Sequence, residues 1–373
     1  MKWATSSHFL LFQPVNRPHP TTTFPPPSSS YFYQPPKQAL AIEIHKLRPS
    51  TVPVSTSHQS LTMELPFVTL DVFTNTRYRG NPLAVVTIPA DRNISEPTQE
   101  QKQRIALEFN LSETVFIHEP RPDTDVDSDV TRRVIDIFTV DTEIPFAGHP
   151  TIGAAVTLIP HGVNTVVTKA GPIALTQTRP GYIQAAIPHN VRRHRKTLAD
   201  LSAPVAAQIS QDPAIRESEL QAPLFSIVNG MTFALIKLPD LEHLAKVQMS
   251  GVNLSVDELL DDGWQNGLLL KYYYVVNGQR EDDGMTVYSI RSRMMEASME
   301  DPATGSAASA LSSYLSLQQS SLGDHGFRYE IDQGVEMGRE SNIVVDVDVK
   351  ESKIATVKLS GTATPVMRGH VTI

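Results

Sequence analysis

Four polar residues stand where local structure breaks, and their types suit proton transfer on a small acid. Glu113 lies in NLSETVF, where a helix hands over to a strand. His149 and Ser306 each follow a glycine, Gly148 and Gly305, at the start of a small-residue helix, and Asp301 lies just before the second start. A carboxyl group moves protons to and from carbon when burial lifts its pKa toward working pH. Glu113, flanked by Leu111, Val115 and Phe116, is the best candidate for such a desolvated carboxyl. The same residues have plainer readings. Glu113 also fits an exposed or backbone-capping glutamate, His149 a hydrogen-bonded turn histidine, Asp301 a helix cap and Ser306 a first-turn residue without a ligand. Residue type alone leaves both sets open.

The stretch that must position these groups is Glu300 to Ala310, EDPATGSAASA, a tight turn running into a helix. Pro302 stiffens the turn, and Gly305 lets the backbone bend or approach a ligand. Ala308, Leu311 and Leu315 are spaced for one helical face. Free N–H groups and the positive dipole end at such a start suit a small carboxylate. The arrangement occurs twice. Pro145-Phe146-Ala147-Gly148-His149 before Gly153-Ala154-Ala155 matches Pro302-Ala303-Thr304-Gly305-Ser306 before Ala308-Ser309-Ala310, at an offset of 157 residues. An internal duplication would set two half-sites facing each other across a cleft.

Bulk composition narrows the classes. The 373 residues suffice for two domains, and 40% hydrophobic with 19% charged residues fits a globular protein. A net charge of −8 disfavours broad nucleic-acid binding, and no apolar run reaches the length of a spanning helix, so neither nucleic acid nor membrane is expected as a partner. The absence of cysteine excludes disulfides, zinc-thiolate sites and two-thiol racemase chemistry. No HExxH, P-loop or G-x-G-x-x-G context appears, so no metal or nucleotide cofactor is expected.

Residues 1–62 differ from the rest: ten of the 28 prolines, a Ser/Thr-rich run and a net charge of +4 against −12 for the remainder. They read as a disordered extension. An acid-poor, basic, Ser-rich stretch also fits an organelle transit segment, mitochondrial among the options, and a true start at Met63 is a third reading. From Leu65 onward strands dominate: PFVTLDVFT, LAVVTI, SETVFI, RRVIDIFTV, VNTVVT, GYIQAAIP, LFSIV, TFALIKL, GLLLKYYYVV and TVYSI, then a strand-rich tail. A helix spans Pro97 to Asn110, capped by Thr98 with Gln101 three residues on. Another is expected over Leu198 to Ile209. Asp123 to Asp129 reads as a solvated hairpin loop. Arg192, Arg193, His194, Arg195 and Lys196 read as a solvated face at a lobe boundary, in preference to an anion patch. The pattern predicts an α+β fold with two similar lobes.

Five stretches carry a resemblance: LDVFTNTRYRGNPLAVV, NLSETVFI, IDIFTVDTEIPFAGHPTIGAA, EDPATGSAASA and QGVEMGR, in this order. The chain from Leu65 to Ile373 resembles the PhzF-like phenazine biosynthesis family, which has the diaminopimelate epimerase fold. The resemblance implies two pseudo-symmetric lobes, each a β-barrel-like sheet around a central helix, with the active site between them. The expected organisation is 63–190 for the first lobe, 191–365 for the second, and 366–373 returning to the first. It also implies a cofactor-independent isomerase and a homodimer; separately, a cytoplasmic setting is expected. By this likeness Glu113 is the catalytic acid/base, and His149, Asp301, Gly148, Gly305 and Ser306 bind substrate. Two departures bear on specificity. The chain has MMEASM from Met294 to Met299, where the phenazine enzyme has a longer Phe- and Pro-containing loop, and Val140 stands where a proline is usual.

The expected activity is proton movement on a small cyclic or unsaturated carboxylic acid. A non-catalytic acid-binding protein on the same fold is the alternative. A Ser306 hydrolase with His149 and Asp301 is a weaker third reading, because no G-x-S-x-G elbow surrounds Ser306.

Overall fold

The structure is a computed structural model and describes residues 63–91, 95–120, 129–202, 208–282, 284–319 and 323–373. The expectation for 1–62 lies outside them, as does most of the Asp123–Asp129 loop. The first half runs β1 (Glu64–Val72), β2 (Asn81–Ile88), α1 (Gln99–Phe109), β3 (Thr114–His118), β4 (Arg132–Phe138), β5 (Glu143–Ile144), α2 (Gly148–Leu158), β6 (Thr165–Thr168), β7 (Gly171–Arg179), β8 (Tyr182–Ala186) and β9 (Arg192–Arg193). Next come α3 (Pro213–Leu220), β10 (Leu224–Val228), β11 (Met231–Lys237), α4 (Leu241–Lys246), α5 (Val256–Leu259), β12 (Leu268–Asp282), β13 (Met285–Met295) and β14 (Glu300–Asp301). The chain closes with α6 (Gly305–Gln318), β15 (His325–Gln333), β16 (Ser341–Lys350), β17 (Lys353–Gly361) and β18 (Ala363–Thr372).

The pairing pattern repeats. In the first half, β1·β2 is antiparallel, β2·β3 parallel, β3·β4 antiparallel, β4·β6 parallel, and β6·β7 and β7·β8 antiparallel. In the second, β10·β11, β11·β12, β12·β13, β13·β15, β15·β16 and β16·β17 follow the same alternation. Each half has a two-residue strand before its glycine helix, β5 on β4 and β14 on β13. The halves join where β8 pairs with β17. Each terminal strand lies along the opposite half: β9 pairs with β10, and β18 returns to β1. The fold is α+β with two pseudo-symmetric lobes, and the 157-residue offset in the sequence is the trace of this duplication.

Each lobe curls around a helix of small and apolar residues. In α2 only Val156 and Thr157 escape full burial, and in α6 the run from Gly305 to Ser313 is buried throughout. A helix without a polar face must be enclosed on all sides. One continuous core joins Leu70, Phe73 and Ile152 of the first half to Ala307, Leu311 and Leu359 of the second. Strand faces follow from period-two alternation, clearest in β16, where Ile343, Val345, Val347 and Val349 point inward. Among the described residues, no helix is long and apolar enough to cross a membrane.

One expectation changes and one holds. Of the helix expected over Leu198–Ile209, the described residues hold a 3-10 turn, Leu198–Asp200, with Leu201 already extended, and residues 203–207 lie outside them. The full helix nearby is α3, because Asp212 caps it and Pro213 takes the first-turn position where a missing N–H costs nothing. The basic cluster is the solvated face expected: Arg192, Arg193, Arg195 and Lys196 are exposed, and three of them are anchored at their tips. Arg192 and Arg195 both bond Asp261, and Lys196 donates to the Glu258 carbonyl. His194 is buried, accepting from the Asp261 N–H at 3.1 Å, which leaves its other nitrogen to donate to Ser226 at 2.8 Å.

Candidate active site

The two glycine-led helix starts meet. A Cβ on Gly148 would lie 2.9 Å from the Gly305 Cα, and one on Gly305 would lie 3.1 Å from the Gly148 Cα and 2.7 Å from Leu359. Only glycine permits this backbone approach, which sets the N-termini of α2 and α6 side by side. We expect Gly305→Ala to destabilise the fold by about 1–3 kcal/mol, read as a lowered midpoint of thermal unfolding.

Glu113 reaches this junction because α1 is sharply terminated. Thr98 and Gln101 form a reciprocal cap at its start, and Asn110 ends it in the left-handed conformation at φ +50°. The chain then turns through Ser112 into β3. The Glu113 carboxyl keeps 16% exposure and stands 3.7 Å from His149 Nδ1. Burial lifts its pKa from 4.5 to about 7, opposed by a hydrogen bond from Ser112. His149, the second residue of α2, is 4% exposed, and burial lowers its pKa to about 4, against the raising influence of Asp301 and the Pro82 carbonyl. It is therefore a neutral imidazole near pH 7. Its Nε2 is buried without a hydrogen-bond partner.

Asp301 comes from the opposite half, on β14. Its Oδ1 accepts from Asn81 Nδ2 at 2.7 Å and its Oδ2 from Thr304 Oγ1 at 2.5 Å. Burial raises its pKa to about 7; the His149 and Thr304 contacts oppose this, while the charges of Glu113 and Glu296 add to it. Ser306 is buried on the first turn of α6. No hydrogen bond joins Ser306 to His149 among the described residues, so the nucleophile–base pair a hydrolase needs is not assembled.

Asn81 ties the halves together. It heads β2, and its amide donates to Asp301 and, at 2.9 Å, to the Ala303 carbonyl, with His149 Nδ1 3.4 Å away. In the sequence it read only as part of an Arg79-Gly80-Asn81-Pro82 turn. The QGVEMGR stretch braces both sides. Gln333 donates to the Asp301 carbonyl at 2.8 Å and accepts from the Thr304 N–H at 3.2 Å. Arg339 bonds Asp71 at 2.6 Å and the Gly80 carbonyl at 2.8 Å, holding the turn that presents Asn81. Gly80 is required in that turn: its φ is +69°, and a Cβ would fall 2.3 Å from the Val72 carbonyl oxygen.

The site is asymmetric although the fold repeats. The position matching Asp301 is Ile144, which pairs with Ile137 as Asp301 pairs with Met294. One acid thus arrives from each half by a different route. A cavity of about 340 Å³ lies elsewhere, lined by Glu219, Lys271 and Tyr273 among others. Its buried polar groups satisfy one another: Lys271 and Tyr273 both donate to Glu219, and Lys271 also donates to the Gln208 carbonyl. It reads as a buried structural ion pair.

A family profile described as "Phenazine biosynthesis-like protein" matches residues 70–369. The chain belongs to the phenazine biosynthesis-like family. Within the family, the chain is 30% identical over 324 residues to an uncharacterized isomerase of Mesorhizobium japonicum, covering 82% of this chain and 98% of that one. It is 29% identical over 323 residues to the trans-2,3-dihydro-3-hydroxyanthranilate isomerase of Pseudomonas chlororaphis, covering 82% and 99%. The crystal structure of the Bacillus anthracis PhzF-family protein shares the fold, with a TM-score of 0.61 and 22% identity over 83% of this chain and all of that one. These relatives make the chain a phenazine biosynthesis-like isomerase.

Proposed function

We propose that this isomerase moves a proton on a small cyclic or unsaturated carboxylic acid, without a cofactor, by carboxylate acid/base catalysis. The observation that carries the reading is the convergence of Glu113 and His149 from one half with Asp301 from the other, at the junction of two helix starts. Glu113, with a pKa near 7, exists in both protonation states at working pH and can take a proton from one carbon and return it to another. The N–H groups of the paired helix starts, Gly148-His149 and Gly305-Ser306, hold the substrate carboxylate and the negative charge that develops on it. Neutral His149, through its unpartnered Nε2, and Asp301 orient the ring substituents. Incubation with trans-2,3-dihydro-3-hydroxyanthranilate and related unsaturated cyclic acids, followed by proton NMR, tests the reading. The expected result is migration of a double bond in at least one of them. Binding without any such change would favour a non-catalytic acid-binding protein.

The same burial has a stability consequence. A carboxyl whose folded pKa is raised above its unfolded value costs stability once ionised. That cost is absent below about pH 4.5, grows through the interval and is complete above about pH 7. We expect Glu113→Gln to stabilise the protein by about 1–3 kcal/mol at pH 8, with most of the gain gone at pH 5. Denaturant titrations at the two pH values measure it.

A further inference from the structure

We propose that Glu296 is a substrate-facing residue that sets specificity, its carboxylate receiving a hydrogen-bond donor, an amino or hydroxyl group, carried on the substrate's carbon skeleton. The assignment rests on the proposed reading of the cleft and adds a residue to it. Glu296 opens the short turn to Met299 that joins β13 to β14, and its N–H donates to the Met299 carbonyl at 2.9 Å. The stem of this turn is rigid. Arg293 grips Glu300 through two bonds of 2.8 Å and donates to the carbonyls of Leu244 and Val247 at the end of α4. The turn is also pinned from outside by the Gly251 N–H, which donates to the Ala297 carbonyl at 2.8 Å.

Register fixes the direction of the side chain. Met294 lies opposite Asp301, and Met295 opposite Glu300. Met294 enters the main core, whereas Met295 enters the separate core under α4. Glu296 lies one residue past β13, where its N–H bond to the Met299 carbonyl continues the pairing, and one further step of alternation turns it to the face shared by Met294 and Asp301. Its proximity registers electrostatically: the charge of Glu113 raises the Glu296 pKa after burial does, and Glu296 in turn raises that of Asp301. Among the described residues the Glu296 carboxylate has no hydrogen bond or ion pair. A partly buried acid set beside two others with no donor of its own is an unfavourable arrangement in the free protein. His149, 3.7 Å from Glu113, also has a buried Nε2 without a hydrogen-bond partner, and both groups point to a ligand that supplies what they lack.

Isothermal titration with two aromatic acids tests the assignment. 3-Hydroxyanthranilate carries a carboxylate with amino and hydroxyl donors, and benzoate carries the carboxylate alone. Wild-type protein should prefer 3-hydroxyanthranilate by roughly tenfold to a hundredfold, the range for a hydrogen bond to a charged acceptor. Glu296→Ala should bring the ratio to within about threefold while benzoate binding is kept or tightened, which also shows that the variant is folded. Glu296→Gln, whose amide oxygen still accepts, should lie between. Equal affinities in wild type, no binding of either acid, or an unchanged ratio in Glu296→Ala would each overturn the assignment. Glu113→Gln, assayed for turnover in parallel, separates the two ideas. If that variant loses turnover while Glu296→Ala still discriminates, the role of Glu296 falls and the reading of the cleft stands.

Discussion

Glu113→Gln should lower kcat on the protein's own substrate by ~10²–10⁴, with KM changed far less. The substitution keeps side-chain shape and removes only the capacity to gain and lose a proton. The carboxyl lies 3.7 Å from His149, and burial holds its pKa at about 7, so both forms are populated where the enzyme works. An amide there still fills the wall and still accepts from Ser112. A fall in kcat with the fold intact therefore reports proton transfer and not binding. The gain in stability expected for the same variant at pH 8 makes the separation sharper. A protein that becomes more stable while losing activity has not lost activity through unfolding.

Asp301→Asn should cut kcat/KM by about two orders of magnitude and destabilise the protein by about 1–3 kcal/mol at acid pH, a loss offset above about pH 7 by removal of a charge that burial disfavours. Both Asp301 oxygens are already acceptors, one from the Asn81 amide and one from the Thr304 hydroxyl. An asparagine must turn its NH2 toward one of these donors. Facing Asn81, it opposes donor to donor across the join between the halves. Facing Thr304, it competes for a hydroxyl oxygen that Gln333 Nε2 already occupies at 3.0 Å. Either way the β14 turn moves relative to β2. Steady-state kinetics with a thermal melt on the same preparation measures both effects.

Much of this site was legible in the sequence. The repeated Pro-x-x-Gly-polar pattern at a constant offset foretold two equivalent helix starts, and Glu113, His149, Asp301 and the two glycines were singled out from their positions at structural breaks. The pairing alternation and the return of β18 to β1 agree with the two-lobed, strand-rich reading. Four residues escaped. Asn81 looked like any turn asparagine, because its partners lie 220 and 222 positions away and long-range hydrogen bonds leave no local periodicity. Gln333 and Arg339 sat inside a recognisable stretch, yet nothing in QGVEMGR says that it braces two separate loops. Glu296 lay in a loop noted only for its shortness. The helix expected over Leu198–Ile209 gives way for a simpler reason: Leu201 is already extended, and the Asp-Pro pair that starts a helix lies at positions 212 and 213.

On the proposed reading one acid/base suffices, which fits an unduplicated site on a duplicated fold. A proton carried from one carbon to another by one group needs one acid/base and one charge-holding wall. It does not need two matched bases on opposite faces. Ile144 in place of a second aspartate, with Glu113 supplied from the end of α1, fits that demand.

The central claim is that Glu113 carries the transferred proton, and isotope uptake from solvent tests it most directly. A substrate identified by NMR is incubated in D2O with wild-type or Glu113→Gln protein, and mass spectrometry follows deuterium at the reacting carbons. Glu113 keeps 16% exposure, so its proton exchanges with solvent between turnovers, and the wild-type enzyme should label product progressively. Glu113→Gln should leave the acid unlabelled above the enzyme-free control. Labelling by Glu113→Gln at the wild-type rate would contradict the account.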